Sequence, residues 1–218
     1  FLMNVERDGL PSSTSAVFHM GACSNTMVED GRYVLKTNFD YSKKLLHACA
    51  DSNVSLIYAS SAAVYGGATS FVESECHEYP LNAYAFSKQL FDRYVRKHAT
   101  SIHSQVVALR YFNVYGPRET HKGSMASIVY QMFKQYSENG RLKLFRGTGG
   151  FGDGEQRRDF ISVEDVVSVN FFFLDNPELN GVFNVGTGCS RSFNDVALSV
   201  INSLRKSSLQ SPMTLDDS

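Results

Sequence analysis

Tyr84 and Lys88 stand four residues apart in YAFSK, inside the run LNAYAFSKQLFDRYVRKHA. On a helix that spacing puts both side chains on one face. A phenol titrates near 10, too high for a base at neutral pH. A neighbouring ammonium favours the phenolate and lowers that value, which would make Tyr84 a usable general base toward a hydroxyl. Upstream, YASSAAVYGG sets Ser61 at the end of an apolar run, where its hydroxyl could bond the same oxygen. A lone YxxxK reads as an aromatic at a helix start followed by a solvated lysine. The ordered set of strand–SS–YGG, YxxxK and strand–RYFNVYGPR decides for proton transfer.

The surrounding pattern alternates strand and helix. Strands are expected over Ala16–Ala22, Val54–Ser61 and Ser104–Phe112, with helices over about Glu29–Asp51 and Tyr84–His98. Short apolar runs joined by long amphipathic helices mark βαβ units and a parallel sheet. After RYFNVYGPR, the sequence predicts a helix over about Ser124–Ser137, a short strand at KLFRG and a polar Gly-rich loop, TGGFGDGEQR. DFISVEDVV reads as a strand turning into a helix capped near Ser162. GVFNVGTG and RSFNDVALSVINSL add one more strand and helix, and the polar tail KSSLQSPMTLDDS is expected to fray.

The fold class is therefore α/β, a Rossmann-type doubly wound parallel sheet with a smaller C-terminal α/β region for substrate. Residues 1–112 read as what remains of the dinucleotide domain. Residues 113–218 read mainly as the substrate region, with about 158–185 returning to the first. Such a sheet opens with a strand and a Gly-rich turn. Nothing in residues 1–15 has that form, and GTGGFGDG joins no buried strand to a long helix. The expectation is the middle and later part of a longer protein.

Composition sets limits on function. With 218 residues, 43% hydrophobic and 20% charged, the chain has the make-up of a globular protein with a sizeable core. A net charge of -1 without a basic block argues against nucleic acid. No apolar run reaches the roughly 18–20 residues of a membrane span; VVSVNFFFLDNP is interrupted by Asn170 and closed by Asp175. The run FLMNVERDGL is expected to be neither a signal nor a transit peptide. Cys23, Cys49, Cys76 and Cys189 are scattered, with no CxxC pair, and are expected buried and reduced, as suits a cytoplasmic enzyme. The histidines do not cluster with them, so no metal site is expected.

In that order the constellation resembles the extended short-chain dehydrogenase/reductase family of nucleotide-sugar epimerases and dehydratases. FHMGACSNT, YASSAAVYGG, RYFNVYGPRETHKGSMAS and the KLF–RDF pair narrow the resemblance to the branch that inverts C6 of an ADP-heptose through a transient 6-keto intermediate. The resemblance implies NADP as cofactor, Tyr84 as one proton acceptor, and Lys122 as a second serving the opposite face. Two are needed because hydride leaves one face of the carbon and returns to the other. Lys122 reads otherwise as a surface lysine or a phosphate clamp. Lys88 would hold the nicotinamide ribose and support Tyr84, and Ser61 would polarise the substrate oxygen.

The resemblance also implies that Met20, Gly21, Ala22, Cys23 and Ser24 lie along the NADP. Thr37 and Asn38 would touch it from a neighbouring helix, with Lys122 and the backbone of Val114 adding contacts. Substrate positions are Ser61, Asn113, Ser124, Gln131, Phe145, Arg146, Gly147, Thr148 and Arg158, the last a diphosphate ligand. Met20, Thr37 and Gln131 depart from the common Glu, Asn and His. A homo-oligomer is implied as well. A UDP-hexose 4-epimerase is disfavoured by HKGS. A dTDP-hexose dehydratase is disfavoured by the lack of an acidic pair after the serine. A non-catalytic sugar-nucleotide or NADP binder would have no use for a tuned phenol.

Overall fold

The computed structural model describes Val5 and residues 9–214. Most of FLMNVERDGL and the last four residues of the tail lie outside the described residues. In chain order the elements begin with β1 (Ala16–His19), α1 (Gly31–Leu35), a π-turn (Lys36–Asp40), α2 (Tyr41–Asp51), β2 (Ser55–Ser61), α3 (Ala83–His98) and β3 (Val106–Tyr111). They continue with β4 (Asn113–Tyr115), α4 (Ile128–Asn139), β5 (Arg157–Ser162), α5 (Val163–Asp175), β6 (Gly181–Val185), β7 (Ser190–Ser192) and α6 (Phe193–Ser207). Short 3-10 turns cover Ala62–Tyr65, Glu75–His77 and Thr120–Met125. The chain forms two compact units, one of residues 1–111 with 166–185 and one of 112–165 with 186–218.

The first unit is built on a parallel sheet in the order β1-β2-β3-β6. Strands β2 and β3 carry apolar residues on both faces: Leu56, Ile57, Val107 and Leu109 are all fully buried. That is the pattern of a parallel sheet covered on both sides. Leu45, Leu46 and Cys49 of α2 and Phe91 and Val95 of α3 pack with Leu56 and Tyr58 of β2 and Val106 and Ala108 of β3. Each such large apolar side chain contributes about 1.5–3 kcal/mol. Helix α3 starts where the Asn82 side chain accepts from the Ala85 N–H at 2.8 Å. It ends on Arg96, Lys97 and His98, cations placed at the negative end of the helix dipole.

The second unit holds a three-stranded sheet, with β5 parallel to β4 and antiparallel to β7. Met132 of α4 packs with Val196, Ala197 and Val200 of α6. Helix α4 is capped by Ser127 and stopped by Gly140 in the left-handed conformation at φ 64. A reciprocal capping box between Ser192 and Asp195 starts α6.

Several expectations are corrected. KLFRG is not a strand: Lys143 N–H donates to Gln135 Oε1 at 2.5 Å and Phe145 C=O accepts from Gly154 N–H at 2.9 Å, so its backbone closes a loop. The helix expected from Ser124 starts at Ile128, because Gly123 at φ 55 and ψ -127 breaks the preceding turn. The Glu29–Asp51 helix begins at Gly31 and is interrupted by the π-turn. The tail folds back as far as it is described, with Met213 N–H donating to Asn202 Oδ1 at 2.7 Å. All four cysteines are free, but only Cys49 is buried; Cys76 and Cys189 are exposed.

Candidate active site

Four consecutive residues of β2 reach α3. Tyr58 Oη and Ser60 Oγ donate to the two carboxylate oxygens of Asp92, at 2.9 and 2.8 Å. The Ala59 carbonyl accepts from Lys88 Nζ at 2.6 Å, and the Ser61 hydroxyl acts on the Tyr84 phenol in favour of its charged form. Ser61 Oγ also accepts from the Ala63 N–H at 3.1 Å, fixing its rotamer at the strand end. Positions 84, 88 and 92 recur every fourth residue, so one stripe of the helix meets one strand.

The electrostatics follow from burial. Lys88 is 6% exposed, and burial pulls its ammonium down to about 8, against which Asp92 acts. Burial pushes the Tyr84 phenol up, partly offset by Ser61. This corrects the expectation of a phenol already acidified by Lys88. The ammonium lies 6.0 Å from the ring centroid and is turned toward a carbonyl, so loss of solvation outweighs it.

Behind the pair, charges alternate through the core. Arg110, fully buried on β3, donates from Nε and Nη2 to Asp92 Oδ2 at 3.1 and 2.9 Å. The same guanidinium meets Glu78, which also takes Arg96 Nη1 at 2.7 Å. Burial raises Asp92, with Arg110 the chief opposing influence. Burial also acts to raise Glu78, but Arg110 and Arg96 outweigh it and hold its carboxyl below the usual range.

A groove of about 520 Å³ beside β1 is lined by Met20, Gly21, Ala22, Cys23 and Thr37. A Cβ at Gly21 would meet no protein atom, so its backbone faces open space that a flat ligand could approach. Ser24 is exposed just beyond. Asn38, at the centre of the π-turn, is buried. Its Oδ1 accepts from Cys23 N–H at 2.8 Å, and its Nδ2 donates to Cys23 C=O and to Ser87 Oγ, both at 3.0 Å. It thus fastens the loop to α3 rather than facing the groove. Ser42 donates to the Asn38 carbonyl at 2.5 Å, so its oxygen accepts from His19 Nε2–H at 2.7 Å. Burial, reinforced by Lys88, lowers His19 to about 4 and keeps it neutral.

The remaining sequence-derived positions belong to the second unit. Lys122 is exposed on the 3-10 turn, 3.6 Å from Glu119 Oε2. Glu119, 3% exposed, accepts from Ser127 N–H and Oγ–H, both at 2.7 Å, and from Gly116 N–H at 3.2 Å. Burial acts against its charge, but these donors and Lys122 outweigh that and keep it below the usual carboxylate range. Gln131 donates its amide to the Ser124 and Ala126 carbonyls at 3.1 and 2.7 Å, so it holds the Lys122 turn to α4. Asn113 donates to the Asp159 carbonyl at 3.0 Å, joining β4 to β5, with Val114 beside it on β4.

Phe145, Arg146, Gly147 and Thr148 run along a loop closed by Gly147 N–H donating to Asp153 Oδ1 at 2.6 Å. Arg158 is exposed on β5, its Nη1 donating to the Arg157 carbonyl at 2.7 Å. Asp159 bonds Thr187 and Gly188 instead of Arg158. The sequence reading passed over Asp92, Arg110, Glu78, His19 and Glu119. A guanidinium inside the apolar strand VVALRYF was the available signal, since it requires a buried anion.

Among the described residues, no helix is long and apolar enough to cross a membrane, and no His, Cys, Asp or Glu group is arranged to hold a metal ion.

The sequence profile described as the NAD dependent epimerase/dehydratase family matches residues 7–186. A curated relative, ADP-L-glycero-D-manno-heptose-6-epimerase of Thiobacillus denitrificans, is 53% identical over 217 residues, covering 100% of this chain and 65% of the relative. Among solved structures, ADP-L-glycero-D-manno-heptose-6-epimerase of Helicobacter pylori superposes with a TM-score of 0.79 at 35% identity, over 93% of this chain and 61% of that one. UDP-glucose 4-epimerase of Thermus thermophilus, in complex with NAD, superposes with a TM-score of 0.72 at 29% identity, over 91% of this chain and 63% of that one. The chain spans less than two thirds of the length of these relatives.

Proposed function

Because the chain belongs to the NAD dependent epimerase/dehydratase family, we propose that its protein inverts C6 of the heptose in ADP-D-glycero-D-manno-heptose, with NADP as cofactor. The observation that carries this reading is the Ser61–Tyr84–Lys88 arrangement on β2 and α3, in a chain 53% identical to a heptose epimerase. The same reading assigns the protein to lipopolysaccharide core heptose synthesis in the cytoplasm, as a homo-oligomer.

The residues present fit a nicotinamide cofactor: an open groove along Met20–Cys23 with backbone exposed at Gly21, and an ammonium at Lys88. Bound there, the cofactor supplies a hydride acceptor and, when oxidised, a positive charge near the phenol. Ser61 holds the substrate oxygen, and Tyr84 takes the hydroxyl proton as hydride leaves C6. The Tyr84 ring sits in the first turn of α3, where the helix dipole also favours a phenolate. Lys88 keeps a positive charge behind that phenolate. Lys122 is the second proton-transfer group, used when the ketone presents its other face. Arg158 carries the charge needed for the diphosphate.

The test is turnover of ADP-D-glycero-D-manno-heptose by the intact protein with NADP, read by NMR as appearance of the L-glycero epimer. Tyr84→Phe lowers kcat by about 10²–10⁴-fold, the span of general base catalysis, and leaves NADP affinity unchanged. An undiminished rate removes Tyr84 from the mechanism. Turnover of UDP-hexoses in place of the heptose overturns the substrate assignment and favours the 4-epimerase branch.

A further inference from the structure

Lys88 is an ammonium in a place that disfavours charge. Its Nζ has one hydrogen bond, to the Ala59 carbonyl, and that carbonyl is neutral. A buried cation requires an anion nearby, or it loses its proton. One turn farther along α3 lies Asp92, fully buried, whose carboxylate receives Tyr58, Ser60 and two N–H groups of Arg110. These donors come from β2 and β3 and do not involve Lys88 directly. They fix the carboxylate from outside the helix, behind the lysine.

The other titratable groups around this pair are Tyr84 on the same helix, His19 at the end of β1, Tyr58 on β2 and Arg110 on β3. His19 and the two phenols are neutral around pH 7, and Arg110 is bound between Asp92 and Glu78. Asp92 is thus the anion of this set that can act on Lys88. Ala59 on Lys88, and Ser60 with Tyr58 on Asp92, set the height of α3 against β2 at two successive turns.

We propose that Asp92 is a positioning residue for the Tyr84–Lys88 pair: it seats α3 on β2 and keeps Lys88 in its charged form. The inference rests on the role of Lys88 given above and extends it to a residue that touches neither substrate nor cofactor.

The experiment is NMR titration of Lys88 in the intact protein carrying ¹³C-labelled lysine, with the signal assigned by its loss in Lys88→Arg. Asp92→Asn lowers the proton affinity of Lys88 by roughly tenfold or more, as removal of a close opposite charge requires. Asp92→Glu restores most of it. The alkaline limb of kcat moves to lower pH in Asp92→Asn and returns in Asp92→Glu. Should Asp92→Asn fail to fold, the double variant Asp92→Asn with Arg110→Gln removes the guanidinium that has lost its partner, leaves Glu78 paired with Arg96, and still shows the lowered Lys88 affinity. A folded Asp92 variant whose Lys88 titrates as in the wild type overturns the proposal and leaves Asp92 a packing residue. The titration does not depend on the heptose reaction, so loss of the epimerase reading and loss of this one are separate results.

Discussion

Lys88 and Lys122 are the two amines of the proposed reaction, and their surroundings are built in opposite ways. Lys88 is 6% exposed on a sixteen-residue helix, with its strand contacts made by successive residues of β2 and a charge network behind it. Lys122 has 45% of its side chain exposed on a six-residue 3-10 turn broken at Gly123. The first amine is held by burial and by a group distant in sequence, the Ala59 carbonyl. The second is held locally, by Glu119 three residues earlier and by Gln131 on the next helix. One arrangement weakens the ammonium through loss of solvent and sets the Asp92 carboxylate one turn away against that loss; the other leaves the cation exposed beside the Glu119 carboxylate. In the proposed reaction, a group that stays charged beside a cofactor and a group that exchanges protons call for such different settings.

The sharpest way to break this contrast is Arg110→Met. It strands the Asp92 carboxylate in the core, and removal of one partner of a buried pair costs about 3–5 kcal/mol. Urea denaturation measures it, and a loss below that of a surface variant would mean the network carries little. Next in size is acid lability. His19 titrates at about 4 when folded, against 6.5 unfolded, so the unfolded chain binds more protons between those values. Its stabilisation is present above about pH 6.5 and fades as pH falls towards 4, by roughly 2–3 kcal/mol in total. Urea midpoints at pH 7 and 4.5 are expected to differ less in His19→Gln than in the wild type.

The smallest effect is Glu119→Gln, which removes a charge and one acceptor from the Lys122 turn at a cost of about 1–2 kcal/mol. It loosens that turn without unfolding the unit. Amide exchange should quicken over Thr120–Ser127 and not over α3; quickening in α3 would erase the distinction between the two settings.

The parallel sheet was legible because β2 and β3 are apolar on both faces and their helices repeat near 3.6 residues. Ser61, Tyr84 and Lys88 were legible because residue type and spacing already specify one face. Asp92 was not, since a carboxylate on an amphipathic helix reads as a solvent-facing residue until Arg110 is placed opposite it. KLFRG misled because strand propensity depends on a partner, and side chains of Gln135 and the loop itself took its backbone groups. The π-turn was hidden in the periodicity: one wide turn between Lys36 and Asp40 leaves Leu45, Leu46 and Cys49 facing the core as an unbroken helix would. Gln131 shows the limit of position matching, because its amide is already occupied by the backbone it stabilises.

That wide turn constrains how the protein can vary. Asn38 is bound on one side to Cys23 and on the other to Ser87, whose hydroxyl in turn donates to the Tyr84 carbonyl at 2.7 Å. Deleting a single residue there would restore regular winding and swing the amide out of both attachments. The Met20–Cys23 loop and α3 would come loose together, so a change in either must be accommodated by the other through one side chain.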